Sequence, residues 1–241
     1  MTKPLRALRE RQKAHRKVAS EFASPIPNTT YTYKRLADTG REIRLVHLLP
    51  PQTNDPAIRC TLHHANLDDQ PLYKCISYAW GDPHATRTIL LDGHELLITE
   101  NLESALRQIQ CQKANQDHQE LVLWIDAICI NQKDDQEKNH QVVQMANIYR
   151  DAAQVLVWLG PESGDSELAF QTIIQTVSNI ETQGLDSVVS SEELPPEGST
   201  ERESLLRLIE DFLEIMRGAE GSALSLLAER SWWSRVWVRK F

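Results

Sequence analysis

No apolar run in these 241 residues approaches the ~20 that a membrane-spanning helix needs, so stable membrane insertion is not expected. The N-terminus lacks the continuous apolar core of a secretory signal. The four cysteines, Cys60, Cys75, Cys111 and Cys129, show no C-x-x-C spacing and read as buried free thiols of a reducing compartment. No Walker-type loop and no Gly-x-Gly-x-x-Gly run is present, which argues against ordinary phosphate cradling. His63, His64 and His84 with nearby acids offer no ligand spacing, so a metal-dependent hydrolase is the weakest enzymatic reading. A net charge of −8 gives a general nucleic-acid binder no footing. These absences leave a cytoplasmic protein with no resident metal or cofactor expected.

What is present suffices for a core: 41% of residues are apolar and 25% charged, enough for one large domain or two small ones. The charge is unevenly spread. Residues 1–20 hold seven cations, from Lys3 to Lys17, against Glu10. Leu5 and Leu8 are nearly the only large apolar groups there, so 1–30 reads as a solvated, flexible basic arm rather than a membrane-surface element. Residues 181–203 mirror it with seven acids against Arg202, and "LPPEGST" within them marks an acidic loop.

Between these segments the pattern is α/β. "EIRLVHLL" (42–49) and "AIRCTLHH" (57–64) read as a strand pair joined by a turn-rich loop. "YKCISYAW" (73–80) is a strand covered on both faces. Within "TILLDGHELLI" (88–98), Asp92-Gly93 signals a two-residue hairpin. Leu102, Ala105, Leu106 and Ile109 space out a helix over 101–110 that Thr99 or Asn101 can cap. "LWIDAICI" lies in a strand over 121–130, a helix follows over 135–150, and "QVLVWLG" (154–160) is another strand. Strand, helix, strand implies a crossover with parallel pairing, so 121–130 is expected beside 155–159, with Val142, Met145 and Tyr149 packed on them. Beyond 160 the chain turns helical, with Leu168, Phe170, Ile173, Ile174 and Val177 at helical spacing. The fold class is therefore α/β: a three-layer domain with a mixed, centrally parallel sheet, a β-hairpin insertion and a C-terminal helical part. The expected layout is a sheet core over 31–161, a helical region over 162–230 and a tryptophan-rich closing segment over 231–241. Trp232, Trp233 and Trp237 are expected to fold back onto the core.

Ligands of open parallel sheets collect beyond the carboxyl ends of the strands. One such end carries Trp80-Gly81-Asp82, with Tyr78 just before it; another carries Asn131 and Gln132, then Asp134, Asp135 and Glu137. Asp134 and Asp135 suit the first turn of a helix as caps. Glu137 lies one turn in and can point back over the sheet edge. Asp126, an acid within a buried run, reads either as a rim ligand or as a carboxylate that fixes neighbouring loops. Asn131 and Gln132 either line a pocket or pin those loops.

Three stretches, "YKCISYAWGDP", "LWIDAICINQKDDQEKNHQVVQMANIYRDAAQVLVWLG" and "RSWWSRVWV", resemble in order the three blocks of the fungal HET (heterokaryon incompatibility) domain. The resemblance covers about 31–238 and implies a domain that triggers programmed cell death when unlike cells fuse. Members often join nucleotide-binding and repeat domains, so the implied partners are a second copy or a signalling partner of that NLR type. Family members usually continue past "RVWV" with Gln-Glu and a further helix. Ending at Phe241 reads as a trimmed piece, a splice form or a truncated product. The family has been likened to TIR domains, and "YKCISY" is similar to their first block. Some TIR domains cleave NAD with a glutamate on the helix after a central strand. That likeness implies Glu137 as the catalytic group and NAD as a possible substrate. Tyr78, Trp80, Gly81, Asp82, Asp126, Asn131 and Gln132 are the implied substrate-binding residues. A carboxylate there would meet an oxocarbenium-like charge. The alternative implied is a non-enzymatic scaffold that acts by self-association. On the catalytic reading Glu137 is dispensable for folding and converges with Asp82 in one cleft.

Overall fold

Asp92 and Gly93 both take positive φ, 50° and 79°. That is the geometry a two-residue hairpin turn needs to match strand twist, and it joins β4 (Thr86–Leu91) to β5 (His94–Thr99). The computed structural model describes residues 31–37, 41–52, 55–114, 121–191 and 194–235; the basic arm 1–30, Trp237 and the chain end lie outside them. Among the described residues, β1 (Glu42–Leu48), β2 (Arg59–Asn66), β3 (Lys74–Tyr78), β6 (Leu121–Trp124) and β7 (Gln154–Trp158) complete one seven-stranded sheet. Its order is β5-β4-β2-β1-β6-β3-β7.

The sheet is mixed. Strand β1 runs antiparallel to both β2 and β6, while β6, β3 and β7 run parallel to one another and β2 runs parallel to β4. Consecutive residues of a strand face opposite sides. Burial of Ile43, Arg44, Leu45 and Val46 in β1, and of Cys75 and Ile76 in β3, therefore shows both faces covered.

Two sequence expectations need correction. Strand β3 stands between β6 and β7, so 121–130 and 155–159 are not neighbours. The physical reason lies in their side chains: Cys75 and Ile76 are fully buried and suit an interior strand, whereas Val155 and Val157 stay exposed and suit the edge. Strand β6 also stops at Trp124, and Asp126 opens the single-turn helix α2 (Asp126–Cys129). Asp126 Oδ1 accepts its neighbour Ala127's N–H at 2.8 Å, which draws that donor out of any ladder.

Helix α1 (Glu100–Ala114) follows the hairpin, and of its two candidate caps Thr99 accepts from Leu102 N. Helix α3 (Asp135–Asp151) packs Met145 and Ile148 into the core, with Val142 and Tyr149 against it. Tyr73 donates to Ile148 O and Tyr149 to Ile76 O, tying the helix to the start and middle of the 73–78 run.

The described residues divide into two compact units: those up to Pro161 together with Arg235, and Glu162–Ser234. The second holds α4 (Ser166–Thr182), the short α5 (Asp186–Val189), α6 (Thr200–Arg217) and α7 (Ala219–Ala228). Ser199 caps α6 through Arg202 N. Gly221 is buried where α6 turns into α7, and a Cβ there would overlap the Met216 backbone. Trp232 and Trp233 belong to this unit, edge to face at 4.9 Å, with Trp233 donating to Leu227 O. Among the described residues no helix is long and apolar enough to cross a membrane.

Cys60, Cys75 and Cys129 are buried free thiols, whereas Cys111 is exposed, so the expectation of burial fails for that one. Burial pushes the Cys60 and Cys129 thiols up to about 12. Alkylation of the native protein at pH 8 should therefore label Cys111 alone, and the other three only after denaturation; mass spectrometry of the labelled protein checks this. Gly221→Ala should cost about 1–3 kcal/mol by overpacking the α6–α7 elbow, read as a lower thermal midpoint.

Candidate functional site

Arg44 is the only cation in β1, and its side chain has no exposed surface. A guanidinium cannot shed its charge, so burial requires a carboxylate and several acceptors. Glu137 supplies the carboxylate. Arg44 Nη1 donates to Glu137 Oε1 at 2.6 Å and Nη2 to Oε2 at 2.8 Å. The same guanidinium donates to Cys129 O at 2.9 Å and Lys34 O at 2.7 Å, and the Tyr33 ring covers it at 5.0 Å. Asn131 N donates to Glu137 Oε1 at 2.7 Å. Both oxygens of Glu137 are thus engaged, and its side chain is 9% exposed.

Position 137 is set by the helix start. Asp134 Oδ1 accepts the N–H groups of Gln136 and Glu137, both at 3.0 Å, and Asp135 pairs with Lys138 at 2.8 Å. Asp134 thus caps the helix as its spacing implied, while Asp135 acts in the first turn through its ion pair with Lys138.

Asp126 has no exposed surface and forms a second node. Trp80 Nε1 donates to its Oδ2 at 3.2 Å, and Arg235 Nη2 lies 3.7 Å from the same oxygen. Arg235 Nη1 donates to Ser77 Oγ, and its guanidinium lies 6.0 Å from the centre of the Tyr78 ring. Gln132 Nε2 donates to Asp126 O at 2.9 Å. Burial first, then the Asp126 charge, push the Tyr78 and Tyr149 phenols upward, so both stay protonated neighbours of the carboxylate. Among the described residues the buried Tyr78 hydroxyl has no partner that meets hydrogen-bond geometry.

Tyr78, Trp80, Asp126 and Gln132 therefore come together, and Asn131 joins Glu137. Asn131 Oδ1 also accepts Lys133 N, so both amides pin the loop. Gly81 takes φ 77° beneath Asn101, whose Nδ2 donates to Ala79 O at 2.6 Å and whose Oδ1 accepts from Trp158 Nε1 at 2.9 Å. Asp82 is exposed and closes its own turn on His84 N at 2.9 Å. No hydrogen bond joins Asp82 to Glu137 among the described residues. Among these residues no group of three His, Cys, Asp or Glu could hold a metal ion.

Sequence reasoning singled out the acids and missed the two arginines that neutralise them. For Arg44 a signal existed: a lone cation among Ile43, Leu45 and Val46 must find a buried partner. For Arg235 none did, because exposed and buried arginines beside tryptophans read alike.

The geometry defines a class: a mixed α/β domain whose motif residues bind one another at the carboxyl ends of β3 and β6. Residues 73–240 match the family described as heterokaryon incompatibility protein (HET), and the chain belongs to that family. It is 29% identical over 226 residues to "Heterokaryon incompatibility protein 6, OR allele" of Neurospora crassa. That match covers 87% of this chain and 33% of the relative, so the chain spans about a third of the relative's length. No solved structure matches it.

The two nodes set separate expectations for unfolding. Glu137→Ala leaves the Arg44 charge buried and unpaired and should cost about 3–5 kcal/mol. Asp126→Ala removes the hydrogen bond from Trp80 and the carboxylate that faces Arg235, and should cost about 1–3 kcal/mol. Urea unfolding of both variants measures these losses; an unchanged midpoint for Glu137→Ala would show that Arg44 finds another partner.

Proposed function

We propose that this domain is the effector part of a heterokaryon incompatibility protein. It acts in the cytoplasm, promotes death of the fused cell, and works by association with other copies or with a signalling partner. The observation that carries the mode of action is the state of Glu137. Its carboxylate is bound on both oxygens by a buried guanidinium and a backbone N–H. A group so engaged is poorly placed to hold a ribose or meet a developing positive charge, since it would first have to abandon Arg44. The name of the Neurospora relative supports the incompatibility role.

NAD cleavage is the competing reading. It draws support from the gathering of Tyr78, Trp80 and Asp126 at neighbouring strand ends, where an aromatic face and an acid could meet a nucleotide. Under that reading Gly81, Asp82, Asn131 and Gln132 frame the substrate and Glu137 is catalytic.

The deciding experiment expresses the chain in a filamentous fungus and follows cellular NAD and viability together. Purified protein at high concentration is assayed for NAD turnover in parallel. The expected result is death without prior NAD loss and no turnover in vitro. An NAD fall that precedes death, and that disappears in a folded Glu137→Gln variant, would establish the enzymatic reading instead.

A further inference from the structure

Helix α4 is inside out. Its buried positions are Ser166, Ala169 and Thr172; Leu168 and Ile180 are half-buried, and its other four large apolar residues face solvent. Phe170, Ile173, Ile174 and Val177 are 46, 40, 66 and 47% exposed, at i, i+3, i+4 and i+7. A helix normally turns such a stripe to its own core, and an outward stripe marks an interaction surface. Glu167 and Glu181 fall on the same face, one at each end of the stripe, and the helix carries no cation. The whole unit Glu162–Ser234 has fifteen carboxylates, four arginines and no lysine, a formal charge of −11.

Charge decides between occupants. Two α4 stripes laid antiparallel would set Glu167 of one copy beside Glu181 of the other at both ends, within two units that repel. A cationic segment carrying some apolar side chains fits instead. This sequence contains one: Lys3, Arg6, Arg9, Arg11, Lys13, Arg16 and Lys17 flank Leu5 and Leu8. We infer that the outward face of α4 docks the basic N-terminal arm of a second copy of this chain. The inference rests on the association reading and names its surface. The contact is head to tail: each copy offers one arm and one stripe, so copies can add in series. Neither Leu5 and Leu8 alone nor exposed ion pairs alone would hold it firmly. The contact is therefore weak, salt-sensitive and dependent on concentration.

The test uses the full chain in sedimentation velocity over a concentration series at low and high salt. Glu167→Lys with Glu181→Lys should raise the dissociation constant by about tenfold or more, as should Arg6→Glu with Arg9→Glu. Ile174→Asp, at an exposed position, should abolish association without lowering the thermal midpoint. Mixing the two charge-reversed proteins should restore association, because the reversed arm positions 6 and 9 then meet the reversed helix ends on another chain. Self-association that none of these changes weakens would overturn the α4 assignment while leaving the association reading standing. Rescue in one chain bearing both reversals, but not in the mixture, would overturn the second copy as occupant. A chain that stays monomeric at every concentration yet still kills would overturn both.

Discussion

A guanidinium with no exposed surface sets the terms for the sheet unit. Arg44 cannot deprotonate, and removing it from water is tolerable only when its donors find fixed acceptors. Four N–H bonds from two nitrogens reach Glu137, Cys129 O and Lys34 O. Those acceptors come from the segment before β1, the single turn α2 and the first turn of α3. One charge therefore fixes where three stretches far apart in sequence must lie. Such a pair adds little net stability over an apolar packing of equal volume, and its value lies in how costly any other arrangement would be. Among the described residues Glu137 is the only carboxylate on it, which is why the helix start is so closely specified, with Asp134 holding the N–H of the same residue.

Asp126 repeats the device with different parts. Its Oδ2 accepts from Trp80, in the turn after β3, and pairs with the charge of Arg235, from beyond the helical unit, while its own carbonyl takes Gln132. The three sequence blocks that carry the family resemblance thus meet at one carboxylate. The buried acid faces one arginine and two phenols that burial and its own charge push upward. Its chemistry is that of a keystone between loops, and the amides at 131 and 132 act in the same sense by tying their loop to Glu137 and Asp126.

Period and turn chemistry made much of the fold legible. The Asp92-Gly93 hairpin, the α1 face, the pairing of β1 with β2 and the Met145 face of α3 all follow from local rules. Strand order did not, because β6-α3-β7 satisfies the crossover rule equally well with β3 between the strands as without it. Only the comparison of Ile76 with Val155 and Val157 settles which strand tolerates the edge, and that is a tertiary fact. Asp126 was legible as an anomaly but not as a helix start, since its capture of the Ala127 N–H is a choice of rotamer. The partners of both acids were illegible for a simpler reason. Arg44 and Glu137 lie ninety-three residues apart, and no local pattern marks a charge pair at that separation.

Periodicity alone also leaves the direction of an apolar face open. Phe170, Ile173, Ile174 and Val177 carry the spacing that elsewhere in this chain marks a core face, as it does for Leu102, Ala105, Leu106 and Ile109. Spacing reports that a helix has an apolar side and not which way that side turns. In α1 the opposite face is charged, and burial of the stripe follows. In α4 the opposite face is Ser166, Ala169 and Thr172, small enough to let a neighbouring helix approach closely, so packing selects the small face and leaves the large one outside. An outward stripe invites indiscriminate aggregation unless something opposes it. The excess of carboxylates on this unit provides that opposition, because like charge repels two such faces while leaving a cationic visitor favoured. On the docking inferred for α4, the charge that opposes the pairing of two such faces also selects what they accept.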